Sequence, residues 1–313
     1  MTGPGVPAAT IPGTINLMLA LAVAALALAT LLASSGPWTA WLAVGFVLAT
    51  VPHWALIHEA VHGHFHASRR VNDAAGRLLS ILFLAPFDGL RFGHLSHHAL
   101  NARAVERPEF YDPGRVSKAR ALAGYYFRLL GGLYLFEVAS GPLSLLPRRV
   151  LRPLLRRVFY DGAPDAGQMA DRAERVLLAS ATLRRLRFDA LLILGLIAAA
   201  VWTCGSAWPL LLAALLGRAF VVSLLDNAPH YEGSLADPDQ GYDMRLPAQL
   251  APLVLNANLH GTHHRHPTLP WTLLPQAFAR DGATYAGGYL LRPWRQLRGP
   301  RPLATAAGHH RSP

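Results

Sequence analysis

The chain has 313 residues, of which 52% are hydrophobic and only 15% charged, and its formal net charge is +11. So few charges and a positive mean hydropathy exclude an ordinary soluble domain and point to a protein that faces lipid. The positive charge would suit nucleic acid, but its placement excludes that partner. No Lys or Arg precedes Arg69 or falls in the links Ser34 to Pro37 and Cys204 to Ser206, and the basic residues gather in Arg148 to Arg187 and Arg292 to Arg301. That is the cytoplasmic bias of a polytopic membrane protein.

In chain order, residues 1–13 are rich in Pro, Gly and small side chains and are expected to be loosely ordered. Ile15 to Ala33 and Trp38 to Ile57 are nearly unbroken apolar runs of spanning length. The first has no basic flank and reads as a retained helix, not a cleaved signal. His58-Glu59-Ala60-Val61-His62 closes the second run. Leu78 to Leu90 is too short to cross and is expected to dip and return, ahead of His94-Leu95-Ser96-His97-His98. Ala121 to Leu146, interrupted by Arg128 and Glu137, is expected to lie at the interface or re-enter. Asp161 to Gln168 reads as a polar surface loop. Phe188 to Thr203 and Ala207 to Leu225 form a second apolar pair, with Arg218 either snorkelling or meeting a polar substrate head. His260-Gly261-Thr262-His263-His264 follows, and residues 302–313, with His309 and His310, read as a loose, solvated tail.

The three histidine clusters share one spacing. Residues three or four apart lie on one helix face, so each cluster can aim its imidazoles at a common point. Eight imidazoles exceed the four ligands of a tetrahedral zinc and suffice for two metals with open positions. For three clusters to form one site, the chain must cross the membrane an even number of times between them. The expected fold is therefore an all-α integral membrane protein, one domain over 1–313, with four transmembrane helices, interfacial or re-entrant helices and a cytoplasmic histidine-box cap. A single cysteine, Cys204, and the lack of a G-x-G-x-x-G fingerprint exclude an iron–sulfur cluster or bound dinucleotide, so any redox chemistry draws electrons from another protein.

The ordered set H-x-x-x-H, H-x-x-H-H and H-x-x-H-H, with paired apolar runs between the second and third boxes, resembles the membrane fatty acid desaturase superfamily, which also holds carotenoid ketolases and hydroxylases. Asn256-Ala257-Asn258-Leu259-His260 and His266-Pro267-Thr268-Leu269-Pro270-Trp271 extend the likeness, which covers about His53 to Pro275. The resemblance implies a non-haem diiron centre that uses O2 to remove hydrogen from an unactivated C–H bond. Its metal ligands would be His58, His62, His94, His97, His98, His260, His263 and His264. A ninth, His230 in Asn227-Ala228-Pro229-His230, departs from acyl-CoA desaturases in the preceding proline, and Asn227 would hold a metal-bound water. Glu59 and His66 are candidates to support the ligands, Glu59 by orienting an imidazole or by lying at the interface, whereas His53, His64 and His266 read as structural.

The implied reaction is desaturation of a lipid or acyl substrate, with carotenoid or other lipid oxidation as the alternative. The implied partners are the membrane and an electron donor such as ferredoxin or rubredoxin with its reductase; by charge, Arg148 to Arg157 and Arg172 to Arg187 would attract either such an acidic donor or anionic lipid. The expected location is a bacterial inner membrane with the site on its cytoplasmic face. His58-Glu59-Ala60-Val61-His62 also matches the H-E-x-x-H zinc protease signature, but that reading leaves six box histidines unused. A metal transporter would place its ligands within the spans.

Overall fold

The computed structural model describes residues 11–33, 35–159 and 165–303. The first apolar run folds as helix α1 (Gly13–Leu31), and the second as α2 (Thr39–Leu48) and α3 (Thr50–His62), bent from each other by 48°. Pro52 explains the bend, since it has no N–H to offer the carbonyl four residues back and its ring crowds that carbonyl. α3 stops immediately after His62 because Gly63 adopts φ 83°, while the Gly63 and His64 amides bond back to the Ala60 and Glu59 carbonyls.

α4 (Arg69–Leu82) and α5 (Phe87–Leu100) meet at 103°. Their turn, with Leu84 at φ 66°, pushes between the apolar helices, where Leu82 and Leu84 pack with Ala43, Phe46 and Ile193. The expected dip and return of Leu78 to Leu90 thus corresponds to a sharp bend, which is either a re-entrant turn or a broken span. A helix ending in an apolar interior leaves carbonyls that water cannot satisfy. Three side chains meet them: His53 Nε2 lies 2.9 Å from the Leu79 carbonyl, the Arg218 guanidinium donates to Leu82 O at 3.3 Å, and the Tyr134 hydroxyl donates to Phe83 O at 2.6 Å. Arg218 is 1% exposed and stacks over the Phe46 ring at 3.5 Å. It therefore neither snorkels nor reaches a substrate; it holds the buried turn.

α6 (Lys118–Phe127) runs through a π-type turn at Arg128–Gly132 into α7 (Leu133–Ser144). α8 (Arg148–Phe159) turns arginines outward and leucines inward, and packs against α9 (Ala166–Leu177). The expected loop at Asp161 to Gln168 is thus shorter than read: residues 161–164 lie outside the described set, but Ala166 already starts α9 and is buried. α10 (Ser180–Cys204) and α11 (Trp208–Asp226) are separated by a break at Gly205, φ 49°. Ser35 accounts for how the two apolar pairs register, since its hydroxyl lies 2.6 Å from Ser206 Oγ and 3.4 Å from Cys204 O. The α1–α2 and α10–α11 links therefore sit together at the end of the bundle remote from the histidines.

By length and composition, α1 and the stretch Ser180–Asp226 can cross a membrane, and each bent pair, α2 with α3 and α4 with α5, also qualifies as a unit, which gives two to four crossings. The rest is short: α12 (His260–Arg265), α13 (Leu274–Arg280) and a parallel pair of β1 (Phe110–Tyr111) with β2 (Arg301–Pro302). The expected loose ends are ordered where described, because Gly13 begins α1 and Pro302 lies in β2; residues 1–10 and 304–313, with His309 and His310, lie outside the described set.

Candidate metal centre

Each box reaches the centre from a different kind of support. His58 and His62 sit one turn apart at the end of α3, and His94, His97 and His98 on the last turns of α5. The third box is α12 itself, six residues long, too short to stand on its own hydrogen bonds. Asp243 supplies what it lacks, accepting from the Thr262 amide at 2.8 Å, the Thr262 hydroxyl at 3.0 Å and Arg265 at 3.1 Å. Gly261 is required there, because a Cβ would fall 2.5 Å from the Gly241 carbonyl oxygen.

The segments around this box account for its flanking residues. Leu255 and Asn256 both take positive φ; the side-chain Nδ2 of Asn256 donates to Trp271 O, and that of Asn258 to Met244 O. Trp271 then ties the tail to the first helices, its indole N–H donating to Asn16 Oδ1 at 3.0 Å and its amide to Glu59 Oε2 at 3.3 Å.

Nine imidazoles converge in two sets, His58, His62, His94, His98 and His263 in one and His97, His230, His260 and His264 in the other, with the candidate ligand atoms of each set within 4.8 Å of one another. They meet through Nε2: the separations are 2.8 Å for His62 to His94 and for His230 to His260, and 3.1 Å for His58 to His263. A neutral imidazole nitrogen either donates or accepts but not both, and several of these Nε2 atoms face two others at once, as His94 faces His62 and His98, so the crowded donor set fits metal ions. Burial, and then the neighbouring rings, hold His230, His260, His263 and His264 well below the ordinary histidine pKa, which leaves them neutral as ligation requires.

The Fatty acid desaturase family model matches residues 33–295. The chain belongs to the fatty acid desaturase family. Among curated relatives, it is 36% identical over 89 residues to the temperature-sensitive sn-2 acyl-lipid omega-3 desaturase (ferredoxin), chloroplastic, of Arabidopsis thaliana, a stretch covering 28% of this chain and 20% of that protein. It is 30% identical over 90 residues to the delta(12) acyl-lipid conjugase of Momordica charantia, covering 29% and 21%, and 30% identical over 88 residues to the delta(12) fatty acid desaturase of Mortierella isabellina, covering 28% and 20%. The matched stretch thus spans about a fifth of each relative. Several relatives carry chloroplast or endoplasmic reticulum in their names, which lends the expected bacterial inner membrane no support; membrane residence itself follows from the apolar helices and the family. In this member of the fatty acid desaturase family, each of the two histidine sets could hold a metal ion.

Sequence reasoning missed the residues behind the rings. Glu106 Oε2 lies 3.5 Å from His97 Nδ1, and Gln240 Oε1 3.3 Å from His230 Nδ1. Asn101 lies 3.4 Å from His264 Nδ1 while donating to the Gln240 carbonyl at 2.7 Å. Arg107, fully buried with Glu109, donates to the His230 carbonyl at 2.6 Å and so fixes the backbone of the ring that follows Pro229. These come from loops outside the boxes, where no spacing marks them.

The remaining candidates fall as follows. Asn227 donates to Glu109 at 3.2 Å and lines the cavity beside His230. Glu59 is buried beside His58, 3.9 Å from its Nδ1, so it is not an interface residue. His66 Nδ1 accepts from the Ser68 amide, and neither histidine set includes it. His64 stacks on His62, and His266 pairs with Asp281 at 2.6 Å. A cavity of about 390 Å3 adjoins both sets, walled by His58, His94, His97, His230, His260 and His263 and by apolar side chains of α3, α5, α7, α8, α10 and α11. The imidazoles thus face a largely apolar space.

Proposed function

We propose that this chain is a membrane-bound, O2-dependent diiron desaturase acting on a fatty acyl lipid, with electrons from a separate protein. One observation carries the reading: two all-imidazole sets share the wall of an apolar cavity, so a hydrogen-rich chain with no chemical handle can lie against both. His58, His62, His94, His98 and His263 would hold one iron and His97, His230, His260 and His264 the other. Two irons there would supply the oxygen activation that an unactivated C–H bond demands. The protein's own part is positioning. Glu106 and Gln240 aim His97 and His230 through their Nδ1 atoms, Trp271 seats the third box against α1 and α3, and the apolar wall keeps water from the reacting carbon.

The topology that fits is four crossings, α1, α2 with α3, α10 and α11, with α4 and α5 re-entering, α6 and α7 at the interface, and the histidines on the cytoplasmic side. The names of the relatives support acyl-lipid chemistry, and one supports a ferredoxin-type donor. The zinc protease reading loses ground because Glu59, its would-be base, is engaged by the Trp271 amide, and His62 meets His94 instead of standing open.

Purified protein is expected to carry about two irons per chain if nine imidazoles fill two six-coordinate-type sites with open positions. A host expressing the chain should gain unsaturated acyl chains that a His97→Ala version does not make. One tightly bound zinc, with proteolysis that survives loss of His263, would overturn the assignment. New oxygenated carotenoids with unchanged acyl chains would move the substrate to the other branch of the superfamily.

A further inference from the structure

One wall of the cavity is bare helix. Gly89 and Gly93 line it from α5, one turn apart, and the next position on that face is His97. Neither glycine has a positive φ. Packing does not demand them either: a Cβ at Gly93 would meet nothing within 4 Å, and one at Gly89 only the Ser140 hydroxyl at 3.7 Å and Leu186 at 3.9 Å, ordinary contact distances. Gly76 is the contrast, since a Cβ there would strike Ala60 and Phe87 below 3 Å. Glycine inside a helix is destabilising relative to alanine, so what the α5 glycines provide is the space itself. A second observation says that something enters that space. On the facing wall, one turn from Ser140, Glu137 lines the same cavity with a buried Oε2 that has no hydrogen-bond partner among the described residues, and a polar atom so placed in a folded protein is met by a ligand or water.

We propose that Gly93 is a specificity-determining position: the strip Gly89–Gly93 is the track on which a long apolar chain lies as it passes His97, and the missing side chain sets the thickness that can pass. The inference rests on the acyl-substrate reading and adds the residue that gates it. Wild type, Gly93→Ala, Gly93→Leu and a control, Gly195→Ala, are purified and titrated with the fluorescent fatty acid cis-parinaric acid. Gly195 is an exposed α10 glycine whose Cβ would also meet nothing within 4 Å and which does not line the cavity. Both alanine variants are expected to melt no lower than wild type. Only the Gly93 variants should bind the probe more weakly, Gly93→Leu by at least about tenfold, and in cells Gly93→Ala should lose products from the bulkiest chains first. Wild-type affinity in a folded Gly93→Leu, or an equal loss in Gly195→Ala, would overturn the gate and leave the acyl reading standing. A wild-type protein that binds no fatty acid would overturn the acyl reading and the gate with it.

Discussion

Glu106 stands at 3.5 Å behind His97, a residue that no box contains. A carboxylate there fixes which ring nitrogen carries the proton and which faces the metal, so its loss should show as weaker metal binding with the ligands all present. Glu106→Ala is expected to lower metal affinity by about 10- to 100-fold, read by competition with a chelator; unchanged retention would remove Glu106 from the centre. A second residue makes a pH-dependent prediction. Burial, reinforced by Asp226 and opposed by Arg128, pushes the Glu137 carboxyl from 4.5 up to about 8. Between those values the folded chain keeps a proton that the unfolded chain has released, so this group's contribution to stability falls as pH rises through that window. Glu137→Gln should therefore melt at the wild-type temperature near pH 4 and above it at about pH 9. The spacing of the box histidines was legible because ligands must share a helix face. Glu106, Gln240 and Asn101 were not, because a ring's second nitrogen can be met from any loop the fold brings near.

At the scale of elements, the apolar runs announced the long helices but not what their polar interruptions do. Arg218 was ambiguous in sequence because one partner, Leu82 O, is a main-chain carbonyl, which every residue has, and the other is His53, 165 positions away; only the 103° turn of α4 into α5 leaves that carbonyl unsatisfied at the right depth. Tyr134→Phe tests that account with little change of shape. It leaves Phe83 O without its 2.6 Å donor and is expected to cost about 1–3 kcal/mol, measured by thermal unfolding in detergent. The α8–α9 pair shows a related limit: Asp161 to Gln168 read as a break from its polarity, yet α9 begins within it at Ala166, because Ala166, Met169 and Ala170 bury one face at helical spacing.

For the whole molecule, the four-crossing arrangement predicts that cysteines at 35 and 205 in a Cys204→Ala background label from the outside, and those at 115, 172 and 295 from the cytoplasm. Cytoplasmic labelling at 205 would break it. If the proposed donor docks on the basic face, the surface open to it is narrower than the basic runs suggested. Arg156 is spent on Asp171 and Glu174, and Arg185 on Asp88, so reversing them would test folding. Arg149, Arg157 and Arg184 are exposed and form no ion pair among the described residues. Changing those three to Glu should slow turnover with a protein donor and weaken its salt dependence, but spare turnover with a small chemical reductant. Equal loss with both reductants would clear this face of a docking role.

The bond from the Trp271 indole to Asn16 joins positions 255 residues apart, and His58 meets His263 across 205. At about 5–20 residues per second of synthesis, the first helix and first box wait roughly 10–50 s in the membrane before the segment that seats the third box exists. The order of biogenesis follows: insertion comes first, and the ring of donors closes only near the end of translation. A chain cut before Trp271 should enter the membrane normally and yet retain no metal.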